Sequence, residues 1–452
     1  MENRDTNILF LGIGGIGMSA IARYYKCLNY NVYGYDKTQT TLTEALIKEG
    51  INVFYEDSID YFPKKLKFVV YTPAVPKVSN IYNYLERENY KIYKRAEILG
   101  LITKDAFTIA VAGSHGKTTI SSIIAHILKQ AGVNVFGFIG GIMCNYKSNL
   151  IMSDINKPKI FVVEADEYDR SFLQLSPNIS VISSIDTDHL DIYKNIKNIE
   201  LAFNEFASKI KDNGILITNK RIKNINVSQS IKNYTYSTSD IADFQAKNII
   251  IDKNGGSFDF VSSDVVNIST FIHGEHNIEN ITAALSVAKL MNIDVEIAKK
   301  AVSEYKGVKR RFEYIINTEK IVYIDDYAHH PEELKKIIKS LKKIYKGKKI
   351  TGIFQPHLYS RTKDLYKEFA DSLNKLDEVI LLDIYPAREE PIEGVSSQII
   401  YDRLKCKKHL STKEKLLSHL NQLETDVLVT FGAGDIDSLI IYIKKFLITK
   451  YL

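Results

Sequence analysis

The sequence predicts an α/β fold, built on parallel sheets and divided among three domains. Short β-branched runs alternate with stretches of helical periodicity along the whole chain, which is the pattern of βαβ units. Two strand-to-helix junctions are glycine-rich turns, Gly12 to Gly17 and Gly113 to Gly116. The chain of 452 residues is also roughly three domains long, at ~100–200 residues each.

Taken in order, Asn7 to Phe10 reads as a strand that runs into the first turn. Ile21, Tyr24, Tyr25 and Leu28 then mark one helix face, and Asn31 to Tyr35 is the second strand. Phe107 to Ala112 repeats this grammar. It leads through the turn GSHG into a helix whose Ile120, Ile123, Ile124, Ile127 and Leu128 share a face before Gly132 stops it. Ile160 to Val163, Ile179 to Ser183 and Gly214 to Thr218 are further buried strands, which implies a large central sheet. After about residue 305 a third set begins, with strands near Ile321, at Ile350 to Phe354, at Glu378 to Leu382 and at Val427 to Phe431. Lysine-rich amphipathic helices separate them. Boundaries near residues 100 and 308 give domains 1–100, 101–308 and 309–452. No internal repeat or low-complexity tract interrupts the series.

Composition narrows the function classes. The chain is 45% apolar and 25% charged, ordinary for a globular protein. Lys+Arg 60 against Asp+Glu 54 leaves +6, scattered as lysine pairs with no basic block, so no nucleic-acid partner is expected. The mild positive excess suits anionic small molecules. Cys27, Cys144 and Cys406 are odd in number and far apart, which gives neither a disulfide framework nor a zinc spacing. No apolar run approaches the ~20 residues of a membrane span, and the polar start lacks a basic leader. A cytoplasmic protein without membrane insertion is the expectation.

In the first turn, Gly12, Gly14, Gly15, Ile16 and Gly17 complete GxGxxG between strand and helix, and Asp36 ends the next strand. The glycines allow a tight turn and close approach of backbone amides to a diphosphate at the positive end of a helix. The motif alone leaves NAD and other nucleoside diphosphates open.

The second turn is more specific. In Gly113-Ser114-His115-Gly116-Lys117-Thr118-Thr119 a lysine and a hydroxyl follow the glycine directly. Backbone amides would cradle a β-phosphate, Lys117 would bridge the β- and γ-phosphates, and Thr118 would offer a magnesium ligand. Val111 stands where the usual phosphate loop has its first glycine, so this is the shorter GxxGKTT variant. Glu164-Ala165-Asp166-Glu167 and Asp186-Thr187-Asp188-His189 each follow an apolar strand. Open α/β sheets place ligand groups at strand C-termini, so both clusters should flank the phosphate loop. Carboxylate oxygens are hard ligands for Mg2+, and an imidazole can complete a second site.

Ten strings now fall into one order: GIGGIGMSAIA, AGSHGKTT, EADEYDRSF, DTDHLDIY, GEHNIENITAA, GVKRRFEY, DDYAHHPEE, QPHLYSRT, DIYPAREEPIEGVSS and FGAGDI. Together they resemble the Mur ligases, the ATP-dependent amide-forming enzymes of peptidoglycan assembly. The likeness covers essentially the whole chain. It implies a Rossmann-like N-terminal domain for the UDP-sugar, a central P-loop ATPase-type α/β domain, and a Rossmann-like C-terminal domain that brings the amino acid. It further implies Lys117 as the phosphate-loop lysine, Thr118 and Glu164 as ligands of one magnesium, and His189 as a ligand of a second. Asn277 and Asn280 resemble the adenine-side residues, Arg311 and Asp326 the nucleotide residues of the third domain, and His329 and Arg361 residues around the amino acid. An arginine there can hold a carboxylate with paired donors.

Within the family the strings are most similar to the branch that joins L-alanine to the lactyl carboxylate of UDP-N-acetylmuramate, through an acyl phosphate, with ATP as co-substrate. A monomer or homodimer is expected. Three departures bear on this. Leu358 stands in QPHLYSRT where many alanine ligases carry arginine. EADEYD replaces EADESD, a form shared with the branch that attaches murein tripeptide in cell-wall recycling, which is the nearest alternative. Ala202-Phe203-Asn204-Glu205 lacks the lysine that other Mur ligases carbamylate, an absence that the alanine branch shares. From other classes, an NAD-dependent oxidoreductase leaves GSHGKTT unused, and a nucleotide-operated switch leaves DDYAHHP and SRT unused.

Overall fold

The computed structural model describes residues 6–186, 193–387 and 389–452. Its strands form three sheets. The first holds β1 Asn7–Leu11, β2 Asn31–Tyr35, β3 Asn52–Phe54, β4 Phe68–Tyr71 and β5 Ile92–Lys94, in the order β3-β2-β1-β4-β5 with every pairing parallel. The order reverses at β1, so the turn that follows it opens into the crevice where such sheets bind ligands.

The second sheet has ten strands: β6 Phe107–Ala112, β7 Val135–Met143, β8 Ser148–Ile151, β9 Ile160–Glu164, β10 Ile179–Ile182, β11 Ile215–Asn219, β12 Lys232–Ser237, β13 Phe244–Asp252, β14 Gly255–Val261 and β15 Val265–Thr270. Their order is β15-β14-β13-β12-β11-β10-β6-β9-β7-β8. β6 lies between β10 and β9, parallel to both. The turn after β6 is thereby flanked by the C-terminal ends of those two strands, as the sequence implied for the acidic cluster at Glu164.

The third sheet runs β16-β17-β21-β18-β19-β20. Its strands are β16 Glu313–Asn317, β17 Val322–Asp326, β18 Ile350–Phe354, β19 Glu378–Leu381, β20 Lys407–Leu410 and β21 Val427–Phe431. Only the edge pairing of β16 with β17 is antiparallel.

The helices follow their apolar spacing. In Lys117–Gln130 the residues Ile120, Ile123, Ile124, Ile127 and Leu128 are all buried, and Gly132 at φ +74° lets the chain leave. Pro331–Ile344 starts with proline behind a His330/Glu333 capping box and buries Leu334, Ile337, Ile338 and Leu341, leaving its lysines outside.

The three sheets are distributed over two compact units. One takes the chain up to Ile249, with Ser257–Thr270 and Asn277–Lys306; the other takes Ile250–Gly256, Phe271–His276 and Gly307–Leu452. In the first unit a continuous core joins the two sheets, because Tyr24 on helix Ile16–Cys27 meets Phe136, Phe138 and Phe161 edge-on at 5.9, 5.5 and 6.1 Å. Arg23 on that helix is 6% exposed. It makes two bonds of 2.7 Å to Glu49 and a third to Asn149 of β8. The helix that begins at the first turn is thus fastened to the central sheet. In the second unit His273 lies 4.8 Å from Tyr314 and 6.0 Å from Phe312, ring to ring. Glu275 pairs with Lys343 at 2.8 Å and Lys339 at 3.2 Å, so the inserted segment 271–276 is an integral part of that unit. Among the described residues no helix is long and apolar enough to cross a membrane.

Past β9, Phe172 is 1% exposed, stacks on Phe206 at 4.8 Å and meets Phe203 edge-on at 5.3 Å. Phe172→Ala is expected to cost about 3–5 kcal/mol. The expected readout is a lower denaturation midpoint for the first unit; an unchanged midpoint would contradict the packing described.

Candidate functional site

The first turn is closed by its own strands. Gly12 N and Ile13 N donate to Tyr35 O at 2.8 and 3.1 Å, and Gly14 N donates to Asp36 Oδ2 at 2.8 Å. Asp36 Oδ1 also accepts from Thr38 N at 3.1 Å. The carboxylate therefore shapes the turn itself. A Cβ at Gly14 would lie 2.7 Å from Asp36 Oδ2, and Gly12 combines φ +84° with Thr72 directly behind it. No larger residue fits either place without rearrangement. Gly15 caps helix Ile16–Cys27 through its backbone, so the helix starts at the turn and points its amide end there.

The second turn is held from three sides. Gly113, at φ +132°, has no room for a side chain because Ser183 at the end of β10 lies against it. Ser183 Oγ donates to His115 O and to Ala112 O, and Ser184 receives Ser114 N through its carbonyl at 3.1 Å and His115 N through its hydroxyl at 3.0 Å. His115 Nε2 lies 3.4 Å from Asp186 Oδ2. Gly116, at φ +86°, caps helix Lys117–Gln130; a Cβ there would sit 2.6 Å from Asn280 Oδ1. Asn280 Nδ2 in turn donates to Asn277 Oδ1 at 3.2 Å, so the two asparagines of helix Glu275–Leu290 lie together beside this turn.

Lys117 Nζ donates to Gly113 O at 2.7 Å and to both oxygens of Glu167 at 2.9 and 2.8 Å. Burial works against the ammonium, but Glu167, Asp166 and Glu164 together outweigh it and hold its pKa above the ordinary lysine value. The lysine stays charged. Glu164, at the end of β9, accepts from Thr118 Oγ1 at 3.2 Å, from Ser121 Oγ at 3.4 Å and from Gly140 N. Thr118 and Glu164, expected to share a metal, are thus adjacent, with hard oxygens suited to Mg2+. Among the described residues no group of three or more His, Cys, Asp or Glu side chains forms a metal cage. His189, the ligand expected for a second ion, lies outside the described residues. Glu167 lies in the acidic string EADEYD, which by itself assigns it no role. Its signal was its place three residues past Glu164, on the loop that leaves β9.

The remaining expected residues fall in the second unit: Asp326 ends β17, His329 and Arg361 follow β17 and β18, and Arg311 precedes the antiparallel edge strand β16, whose start pairs with the end of β17. Arg310 reaches Asp325 Oδ2 at 3.2 Å and the carbonyl of Gly434 at 3.3 Å, while Arg311 stacks over Tyr327 at 5.1 Å. Asp326 accepts from Phe312 N at 2.7 Å and Ala328 N at 2.8 Å. Burial pushes its pKa up to about 7 against the pull of Arg311. Burial likewise raises Asp325 to about 6, opposed by Arg310. His276 is driven down to about 4 by burial and by Lys336 and Arg311. His329 Nδ1 lies 3.0 Å from Tyr327 O and 3.5 Å from Glu333 Oε2. Its ring faces His357 at 5.9 Å, which stacks on Tyr385 at 5.7 Å. Arg361 stands in the first turn of helix Tyr359–Leu373, half-buried. Leu358 before it is buried at φ +72°, a conformation rare for a side-chain-bearing residue, and supplies no second guanidinium.

Three models of the Mur ligase family match the chain: the "catalytic domain" model at residues 7–106, the "middle domain" at 111–288 and the "glutamate ligase domain" at 310–434. Among curated proteins, UDP-N-acetylmuramate–L-alanine ligase of Flavobacterium psychrophilum is 46% identical over 98% of both chains. The protein of that name from Porphyromonas gingivalis strain W83 is 45% identical over 98% of this chain and 99% of its own. Among solved structures, the UDP-N-acetylmuramate-alanine ligase of Thermotoga maritima covers 98% of both chains at TM-score 0.82 and 26% identity. A murein peptide ligase of Psychrobacter arcticus shares the fold over 98% of both chains, at TM-score 0.73 and 21% identity.

Two outcomes follow from the geometry. Gly116→Ala puts a methyl group against Asn280 at a left-handed φ, so adenine-nucleotide affinity should fall at least about tenfold, a cost of ~1.4 kcal/mol, with the fold retained. Calorimetric titration with a non-hydrolysable ATP analogue checks this, and wild-type affinity would contradict it. For Asp326, the folded protein keeps a proton between pH 3.8 and about 7 that the unfolded chain has released, so this group's contribution to stability falls as pH rises through that window. The Tm advantage of wild type over Asp326→Asn should therefore be larger at pH 5 than at pH 7.5. An advantage that shrinks on acidification would contradict the shift.

Proposed function

Because this chain belongs to the Mur ligase family, we propose that it joins L-alanine to the lactyl carboxylate of UDP-N-acetylmuramate, converting ATP to ADP and phosphate. The observation that carries this reading is the end-to-end likeness to alanine ligases, through both glycine turns and the amino-acid end.

A carboxylate is too poor an electrophile to meet an amine directly, so it must first be activated. A lactyl carboxylate oxygen attacks the γ-phosphorus in line; an O–P bond forms, the bond to the β-phosphate bridge breaks, and ADP leaves. The amine of alanine then attacks the carbonyl carbon of the acyl phosphate. A C–N bond forms, the amine loses a proton, and phosphate departs with the C–O electrons. The residues divide the work. Gly12, Gly14, Gly15, Ile16, Gly17 and Asp36 form the turn for the UDP-sugar. The amides of Gly113 to Thr119, including Ser114, His115 and Gly116, cradle the ATP phosphates, and Lys117 supplies a fixed cation for them. Asn277 and Asn280 serve the adenine, since an amide can donate to and accept from the base edge. By the same likeness, Arg311 and Asp326 serve the nucleotide. Thr118 and Glu164 would hold one magnesium and His189 a second; bound there, the ions would offset charge on the transferring phosphoryl group. Arg361 is the guanidinium for the alanine carboxylate, and His329 the acceptor for the amine proton.

Tyr168 in EADEYD favours a second reading, in which murein tripeptide replaces alanine as the amine. One assay separates them: ATP, Mg2+ and UDP-N-acetylmuramate are offered with either amine, and the product is identified by mass. Alanine is expected in the product, with ADP release requiring both substrates; incorporation of the tripeptide alone would replace the reading. Lys117→Met should lower kcat by about a thousandfold or more while UDP-sugar binding persists. Because it strands the buried Glu167 carboxylate, at about 3–5 kcal/mol, the Lys117→Met, Glu167→Gln double variant is measured beside it. Recovery of activity in the double variant would remove Lys117 from the chemistry.

A further inference from the structure

One guanidinium beside the first turn has no part in the reaction as assigned. Arg95 opens helix Arg95–Thr103, directly after β5. A cation at a helix N-terminus works against the helix dipole, so helix formation does not account for it. Its side chain lies across Gly17: a Cβ there would meet Arg95 Nη1 at 2.9 Å and Cδ at 3.2 Å. Gly17 has an ordinary negative φ, so it is this arm, and not the backbone, that leaves no space for a larger residue. At the other end, Arg95 Nη2 donates to Asp166 Oδ2 at 3.2 Å. Its Nε and Nη1 make no hydrogen bond among the described residues, and the side chain is 26% exposed. Asp166 stands between Glu164, which meets Thr118, and Glu167, which holds Lys117. The guanidinium thus spans from the glycine turn to the acidic loop of the phosphate site, with most of its donors unused.

We propose that Arg95 binds the diphosphate of the sugar nucleotide at Gly17, exchanging its single bond to Asp166 for paired bonds to phosphate oxygens. The inference rests on the first turn being the sugar-nucleotide site. A diphosphate carries more charge than one carboxylate and matches the planar fork of arginine. The exchange leaves Asp166 with a donor, because its Oδ1 already accepts from Tyr168 N at 3.1 Å. It also leaves the loop docked, through Lys94 and Asp169 at 3.1 Å and the close approach of Gly100 to the Gln174 carbonyl.

The test is calorimetric titration of the full-length protein with UDP and with UDP-N-acetylmuramate, for wild type, Arg95→Met, Arg95→Lys and Asp166→Asn. Arg95→Met should weaken both ligands by about 10–100-fold, the range of a charge-assisted hydrogen bond. Arg95→Lys should fall between it and wild type. Asp166→Asn removes the competing carboxylate, so UDP should bind it as tightly as wild type or more so. If the pair merely shapes the loop, Asp166→Asn and Arg95→Met lose the same contact and weaken UDP alike, which overturns the proposal. Wild-type UDP affinity in Arg95→Met and Arg95→Lys overturns it too, as does a loss confined to UDP-N-acetylmuramate, which would move the contact to the lactyl carboxylate. Failure of the wild type to bind either ligand would instead remove the sugar-nucleotide reading beneath it.

Discussion

The second glycine turn is organised around one buried ion pair, Lys117 with Glu167. A lysine in the first turn of a helix opposes the dipole, and burial opposes its charge; neither position is tenable without an acid brought to it. Glu167 is itself 2% exposed and equally dependent on the lysine. The loop that leaves β9 must therefore close over the turn that leaves β6, and Tyr193 fixes it there by donating to Glu167 O at 2.6 Å. Once that loop is placed, Glu164 falls beside Thr118 and Asp166 falls within reach of Arg95. A single electrostatic requirement thus bears on five acidic or basic groups on three segments.

The two glycine turns share a grammar and differ in how they are fastened. The first is closed locally, by Tyr35 and Asp36 on the adjacent parallel strand, and needs little from the rest of the chain. The second depends on distant segments: Ser183 and Ser184 from the end of β10, Glu167 from beyond β9 and Asn280 from helix Glu275–Leu290. The first behaves as a self-contained cradle. The second is assembled only when β6, β9 and β10 have come together with helix Glu275–Leu290.

This difference explains what could be read from the sequence. Strands β1, β2, β6, β9, β10, β11, β18, β19 and β21 announced themselves as apolar runs because a parallel strand covered on both faces has no polar alternation to blur it. Both turns were legible because glycine at positive φ beside a strand and a helix has few other uses. β13, β14 and β15 were not legible, since segments such as KNIIID and VVNIST expose every second or third residue and carry only a weak signal. Lys117 could be named from its motif, but its partner lies fifty residues on and is chosen by sheet order. Arg95 had no motif at all, because its meaning comes from Gly17 and Asp166 lying on either side of it in space.

The insertion of Ile250–Gly256 and Phe271–His276 into the second unit bears on synthesis order. Both segments leave the ribosome before the rest of the unit to which they belong. At ~5–20 residues per second, His273 and His276 wait on the order of seconds for Tyr314 and Lys336. During that interval the first unit can complete its sheet while a short length of its chain stays without its final packing. The nascent protein therefore carries these two segments without their final packing until the last third of the chain emerges.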